Sequence, residues 1–600
     1  PEPPAPFNGS QLALALILAL AVLALLLDSP GLLRDLGLTG RPGLRTACTL
    51  AALLAAALAL RVLADPTFLR EAYPLPNVHA LTGPIRWDSA IVAYPQGSDL
   101  MTALIAPLLA ENPYDAWLRA NITYGTLTVL AAYALGAALT GRRRTGLITA
   151  ALFAFWPQHI RFSASEATHI AFVLWSTAAL AMAALAARTG RLRTFAALVA
   201  TTAAAVITRP EAALFVPACA LLALTHGPGV RTRLLSPPRV ALVALGTWLL
   251  LPTVLIIAAA PSTQYFDPTA HHAESVNLDS LTRLAAALVI PSRGNALFDL
   301  ATTPAWLWPL TLAGAVIAWR RGLRGAALAL PLIILSYLAL YARMDASITV
   351  WRWSRYHLSA LPAAVALAAI ALEALLARVP ALAASPRRLL AAATAVCALG
   401  TALWWPAIRA VPLDWQRELS WALDLGRRDP PLIGPQTRVV LPDNRRRFRD
   451  LSPRAIIAAL SANRVSREAS VPVATALERL HLTGPEPPAL YYEGLYCYLA
   501  LAPGESINPQ CSAMHEAFTL TPVETLTITE PAFLIAYADV RPPGPLTLAV
   551  YRIGDRRLPP EQAERLIPEP WPEGADPPAG SAVMGAPTDD DMAPTIPPLP

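Results

Sequence analysis

Apolar residues in this 600-residue chain arrive in long runs, not in the strict alternation of a half-buried strand. The runs are about 17–22 residues long, enough for a helix to cross the hydrocarbon core of a bilayer. The pattern predicts about twelve spans, near 11–27, 46–63, 119–140, 145–162, 167–187, 193–208, 211–226, 240–260, 303–319, 325–342, 357–377 and 389–408. The first run lacks a basic leader and a small-residue cleavage site, so it reads as an anchor rather than a signal peptide. The stretch Leu100 to Ala110 is apolar but too short to span, and is expected to lie along the interface as a helix.

Composition agrees with the pattern. Hydrophobic residues make up 55% of the chain and charged ones 15%, and the mean hydropathy is +0.45. A soluble protein carries about 25% charged residues, so a soluble enzyme and a wholly disordered chain are both excluded. The net charge of +6 does not point to nucleic acid, because many of the arginines, which supply every fixed side-chain cation, fall in groups between spans. Arg34, Arg41 and Arg45, then Arg142 to Arg144, then Arg188, Arg191 and Arg193 occupy every second connection. The alternation continues at Arg231, Arg233 and Arg239, at Arg320, Arg321 and Arg324, and at Arg378, Arg387 and Arg388. Positive charge is retained on the cytoplasmic side. The expected topology therefore places both termini outside the cytoplasm, together with segments 64–118, 161–167, 261–302, 343–356 and everything after 408.

After Ile408 the character changes. Short apolar strands, Arg438 to Leu441 and Leu546 to Tyr551, mix with an amphipathic helical pattern at Pro453 to Ser461, as in a soluble α/β domain. The expected organisation is a transmembrane domain over 1–408 (outer loop 64–118), an extracytoplasmic α/β domain over 409–556, and a disordered Pro-rich tail over 557–600. Cys48, Cys219 and Cys397 fall within spans and read as small buried hydrophobes. Cys497 and Cys511 share the outer domain, where a disulfide is permitted and expected.

Charged groups near span ends are costly to keep, so those present are candidates for chemistry. Asp65 directly follows the second span, in Asp65-Pro66-Thr67-Phe68; either it does chemistry or it ends the helix in an Asp-Pro turn. Trp87-Asp88-Ser89 and Tyr94-Pro95-Gln96-Gly97 lie further along the same loop. Gln158-His159-Ile160-Arg161 leads through a very short loop to Glu166 and His169, three residues apart and able to share the face of a starting helix. Such a pair can bind a divalent cation, or hold a phosphate through a protonated imidazole; the alternative is an N-cap region opened by Ser165.

An Asp-Pro after an early span, a YPxG element in the same loop, a basic connection and then a Pro-ended helix with a short acidic loop together resemble the GT-C superfamily of membrane glycosyltransferases. That superfamily includes oligosaccharyltransferase catalytic subunits and protein O-mannosyltransferases. The likeness covers about residues 46–226 and returns at Arg355-Tyr356-His357 and at Asp414-Trp415 to Trp421. It implies a polytopic helical membrane domain with a C-terminal soluble domain, and sugar transfer from a polyprenyl-phosphate or -pyrophosphate lipid on the extracytoplasmic face of the cytoplasmic membrane. Asp65 would then activate the acceptor or help hold a metal, with Asp88 in reserve for the same work. Glu166 and His169 would occupy the second-loop acidic motif and, with Asp65, could ligate Mg2+ or Mn2+. Arg355, with Tyr356, would contact the lipid phosphate. His169 and Arg209 are further candidates for that contact, although Arg209 could equally snorkel to the headgroups.

The WWDYG motif of oligosaccharyltransferases is missing, so asparagine glycosylation is not expected. The basic run Arg445 to Arg449 reads as a solvated face, and His271-His272 as a wet loop. The implied partners are a polyprenyl-linked sugar donor, a protein, lipid or glycan acceptor, and the bilayer, with no nucleic acid. Two other functions fit the pattern less well: a non-catalytic GT-C-like component of envelope assembly, and a lipid-linked sugar transporter, which would require internal repeats.

Overall fold

A computed structural model describes residues 9–64, 66, 97–109, 113–165, 167–231, 235–259, 307–342, 358–409, 432–433, 490–493, 515–516, 518–528 and 545–557. The chain divides after Arg409 into a helical unit and a strand-bearing unit.

In the helical unit, α1 (Gly9–Asp35) and α2 (Gly40–Leu63) precede the short α3 (Gly97–Leu109) and the long α4 (Pro113–Thr140). Next come α5 (Arg143–Ala154), α6 (Pro157–Ser163), α7 (His169–Thr189) and α8 (Leu192–Thr208). A 3-10 turn (Pro210–Leu214) leads into α9 (Phe215–Thr225), the single turn α10 (Pro228–Arg231) and α11 (Pro237–Ala259). The unit closes with α12 (Leu307–Arg320), α13 (Arg324–Ala342), α14 (Leu361–Leu376), the turn α15 (Pro380–Ala383) and α16 (Pro386–Arg409). Among the described residues, stretches Leu14–Asp35, Gly40–Leu63, Trp117–Thr140 and His169–Thr189 are long and apolar enough to cross a membrane. Shorter apolar helices accompany them, including Leu192–Thr208 and Leu361–Leu376. This is a polytopic helical membrane protein.

The helix order follows the apolar runs, with three departures. The expected span 145–162 is broken at Phe155–Trp156, because Pro157 has no N–H to continue the ladder and holds Trp156 extended, at φ −80° and ψ 115°. The run after Arg209 begins as a 3-10 turn. Cys48 is exposed on α2 rather than buried, whereas Cys219 and Cys397 are buried.

Helix α4 packs against α5, α7, α2 and α3, and α8 packs against α7 and α1. Nearly all of α7 is buried. By contrast α1, α2, α11 and α16 turn Leu26, Leu27, Val62, Leu63, Trp248, Leu399 and Leu403 outward. Apolar faces of that extent require an apolar surrounding.

The arginine-bearing connections gather at one end of the bundle. Arg191 pairs with Asp35 at 2.5 Å and lies 3.6 Å from Asp28, whose carboxylate accepts the Thr194 hydroxyl at 2.6 Å. Arg188 donates to Ala138 O, and the His226 ring meets Leu139 O. The buried Glu373 of α14 accepts from Thr145 Oγ1 at 2.6 Å, with Arg142 and Arg321 each 3.7 Å away. The alternation of arginines along the sequence is thus an alternation of bundle ends.

In the second unit a four-stranded sheet has the order β1 (Leu432–Ile433), β2 (Leu490–Glu493), β4 (Leu546–Arg556), β3 (Phe518–Ile528). The β1–β2 pair is parallel and the others antiparallel. Strand β4 contains the expected strand at Leu546 to Tyr551; the stretches expected at 438–441 and 453–461 lie outside the described residues. Buried Glu493 accepts from His515 Nε2 at 2.7 Å. Burial and the Glu493 charge hold the Tyr551 hydroxyl above its ordinary pKa.

Candidate functional site

At the end of the bundle opposite the arginine connections, three arginines and two histidines are buried between helix termini. Two of the groups form one cluster. Arg209, held extended at φ −154° and ψ 141° between α8 and the 3-10 turn, directs Nη1 to Thr168 Oγ1 at 3.1 Å and to His169 Nδ1 at 3.3 Å. Thr168 caps α7 and His169 is its first residue. A guanidinium can only donate, so His169 Nδ1 is the acceptor and the ring proton sits on Nε2, a neutral tautomer assigned from the network. Both side chains are buried. Helix α3 starts beside them, because Gly97 approaches the end of α8 so closely that a Cβ there would fall 2.5 Å from Ile207 O. The glycine of the YPxG element therefore serves a close approach, which brings the start of α3 next to Thr208 and Arg209.

The second cluster joins α2, α5 and α6. Arg61 Nη1 donates to Ala57 O at 2.8 Å within its own helix, while Nη2 reaches Phe153 O at 3.4 Å and His159 Nδ1 at 2.7 Å. By the same logic His159 is neutral, with its proton on Nε2. Arg161 Nη1 donates to Ala64 O at 2.7 Å and to Ile408 O at 3.3 Å. Gly125 on α4 leaves the room that this cluster needs; a Cβ there would collide with the Ser163 side chain and lie 2.9 Å from Arg61 Nε.

Between the clusters the α6–α7 connection is tied from below. Asn121 on α4 donates from one amide nitrogen to Ser165 O at 2.6 Å and to Ala167 O at 3.1 Å, the carbonyls on either side of Glu166 in the chain. Ser165 itself closes the turn, donating to Phe162 O and accepting from Ala167 N. Helix α7 begins at His169, and Thr168 rather than Ser165 occupies the cap.

Of the residues singled out in the sequence, the structure brings Arg209 and His169 together. Asp65, Asp88, Glu166, Arg355, Tyr356, Cys497 and Cys511 lie outside the described residues, as do His271-His272 and the Arg445 to Arg449 run. Sequence reasoning assigned no role to Arg61, His159, Arg161 or Asn121. The available signal was the same for all four: a polar group kept in or beside an apolar run. Among the described residues no group of three His, Cys, Asp or Glu side chains is placed to hold a metal ion. His169 turns Nδ1 to the Arg209 guanidinium, and the other expected ligands, Asp65 and Glu166, lie outside the described residues.

Fold and site together define a polytopic helical membrane protein with buried arginines and histidines at one end of its bundle. A family profile for dolichyl-phosphate-mannose-protein mannosyltransferase matches residues 95–257, from the end of the first long loop through α11. The fold is similar to that of ArnT from Cupriavidus metallidurans, solved bound to undecaprenyl phosphate; identity is 14%, TM-score 0.50, with 83% of this chain and 97% of that chain covered. The Archaeoglobus fulgidus oligosaccharyltransferase, solved with Zn and sulfate, aligns at 17% identity and TM-score 0.42. That alignment covers 63% of this chain and 55% of the archaeal protein, so the chain spans little more than half of that relative. No curated protein sequence matches the chain.

Proposed function

We propose that this protein transfers a sugar from a polyprenyl-phosphate or -pyrophosphate lipid to an acceptor at the end of the bundle that carries Arg209 and His169. The observation that carries the reading is Arg209, a buried guanidinium between two helix ends, set on a fold shared with a protein solved bound to undecaprenyl phosphate. A guanidinium fork suits phosphate oxygens, and a site away from water strengthens the attraction. By the positive-inside rule the arginine-rich end is cytoplasmic. The transfer site then faces outward from the cytoplasmic membrane.

In this reading the acceptor oxygen attacks the anomeric carbon while Asp65 takes its proton, with Asp88 as the alternative base. The bond from the anomeric carbon to the phosphate oxygen breaks, and its electron pair leaves on the lipid phosphate. Arg209, helped by Arg355 and Tyr356, stabilises that charge. His169, neutral and donating from Nε2, contributes a hydrogen bond rather than a positive charge. No step is routed through a divalent cation; a role for Mg2+ or Mn2+ would rest on Asp65 and Glu166.

The experiment is mass spectrometry of lipids that copurify with the solubilised protein, run beside Arg209→Ala and followed by a transfer assay on Asp65→Asn. A polyprenyl-linked sugar lost in Arg209→Ala, with turnover lost in Asp65→Asn, supports the transferase. Bound sugar-lipid whose turnover survives Asp65→Asn removes Asp65 as the base. Sugar-lipid binding with no turnover by the native protein favours the non-catalytic assembly role. Bulk phospholipid alone overturns the donor assignment.

A further inference from the structure

Among the described residues, three chain segments meet at the Arg161 guanidinium. The first is the carbonyl end of α2, where Ala64 O accepts from Nη1 at 2.7 Å. The second is the carbonyl end of α16, where Ile408 O accepts from the same nitrogen at 3.3 Å. The third is α6 itself, which carries Arg161. Each of the two long helices spans 24 residues and ends with carbonyls that have no partner in their own helix. Each such end carries roughly half a negative charge, so bringing two together is unfavourable unless a cation sits between them. Arg161 is that cation.

The described side chains around it are buried and apolar. Ala64, Ile160, Ala164 and Ile408 are buried together, and Leu60 and Trp405 pack against them. Away from water a charge–carbonyl interaction is stronger, and the cost of losing it is higher. A second link fixes the same pair of helices: Arg61 of α2 donates to the His159 ring of α6, two residues before Arg161. The two bonds run in opposite directions, one from α2 into α6 and one from α6 onto the end of α2. Two bonds running in opposite directions restrain the angle of α6 more than one would.

The positions in the chain give this clamp its meaning. Ala64 immediately precedes Asp65. Ile408 lies at the end of the helical unit, just before the chain passes into the C-terminal unit. Residues 164–168, which connect α6 to α7, contain Glu166. We infer that Arg161 is a positioning residue for sugar transfer: by holding the ends of α2 and α16 on one side chain, it fixes the helix end from which the chain runs into Asp65. The inference rests on the transferase reading for the reaction it serves; the clamp itself does not.

The test uses the full chain in nanodiscs, as wild type, Arg161→Met and Arg161→Lys. Lysine keeps a charge that one nitrogen can share between two carbonyls, and methionine keeps bulk alone. Hydrogen exchange reports the clamp without any turnover. In Arg161→Met the last turns of α2 and α16 are expected to lose protection together, with α4 and α7 unchanged. Kinetics report positioning: turnover should fall about ten- to a hundredfold, as for a small misplacement of reacting groups, with the KM for the lipid donor within about twofold. Arg161→Lys should recover most of both properties. Loosening of only one helix end, or of neither, overturns the clamp. Native turnover in Arg161→Met, or donor affinity falling in step with turnover, overturns the positioning role. A wild-type protein that binds the lipid yet transfers nothing refutes the transferase reading and the positioning role with it, while the exchange data still judge the clamp.

Discussion

Arg209 Nη1 lies 3.3 Å from His169 Nδ1, which fixes the imidazole as a neutral acceptor at the first residue of α7. The pair presents one permanent positive charge, not two, where a phosphate is expected to bind. Arg209→Ala should therefore weaken lipid-phosphate binding strongly, by about 1.5–3 kcal/mol for the lost charge-assisted hydrogen bonds, or about ten- to a hundredfold in Kd. Native mass spectrometry or fluorescence titration with undecaprenyl phosphate measures this; an unchanged Kd rejects the phosphate role.

His169→Gln keeps a hydrogen-bond donor in place of the ring. Because the native ring is already held neutral by its neighbour, this variant should retain donor affinity within about threefold, less than 1 kcal/mol. A loss as large as that of Arg209→Ala would mean that the ring binds in its charged form.

Asn121 holds the two carbonyls that flank Glu166 from inside the bundle. Asn121→Leu leaves both without this donor, at a cost of about 1–3 kcal/mol. Thermal unfolding in detergent should show a lower Tm than wild type. An unaltered Tm would show that water or a shifted side chain replaces the amide.

Glu373 receives one hydroxyl and lies 3.7 Å from each of two arginines, Arg142 being mostly exposed. Solvent weakens the Arg142 pairing most, and the Thr145 bond is the shortest of the three contacts. Glu373→Gln, which can still accept from Thr145, should be less destabilising than Glu373→Leu, which cannot. Denaturation of the two variants side by side decides it, and the reverse order would assign the stability to charge.

Chelation tests the cation. With His169 turned to Arg209, EDTA should leave turnover within about twofold, the scatter expected when no ligand is lost. Loss of activity restored by Mg2+ or Mn2+ would return Asp65 and Glu166 to the role of ligands.

The sequence by itself determined the class of architecture. Runs such as 46–63 and 167–187 cannot be placed in water, and arginines at alternate connections require the chain to cross repeatedly; both are local properties of composition and length. A helix ending at Pro157 was legible, but the apolar run carried the expected span on to 162, because hydrophobicity alone does not register a proline whose effect is on the backbone. The order of helices and the short helix α3 were likewise readable.

Only the tertiary structure decided which polar groups meet. Arg61 and His159 are 98 positions apart, and Arg161 and Ile408 are 247 apart. No spacing rule connects such pairs, because helix packing rather than chain direction brings them together. The same holds for the protonation of His169: the sequence offers an imidazole near an acid, and the fold supplies a guanidinium that makes it a neutral acceptor. Hydrophobicity is additive along the chain and can be read from it; a hydrogen bond between distant helices depends on geometry that exists only once the bundle has formed.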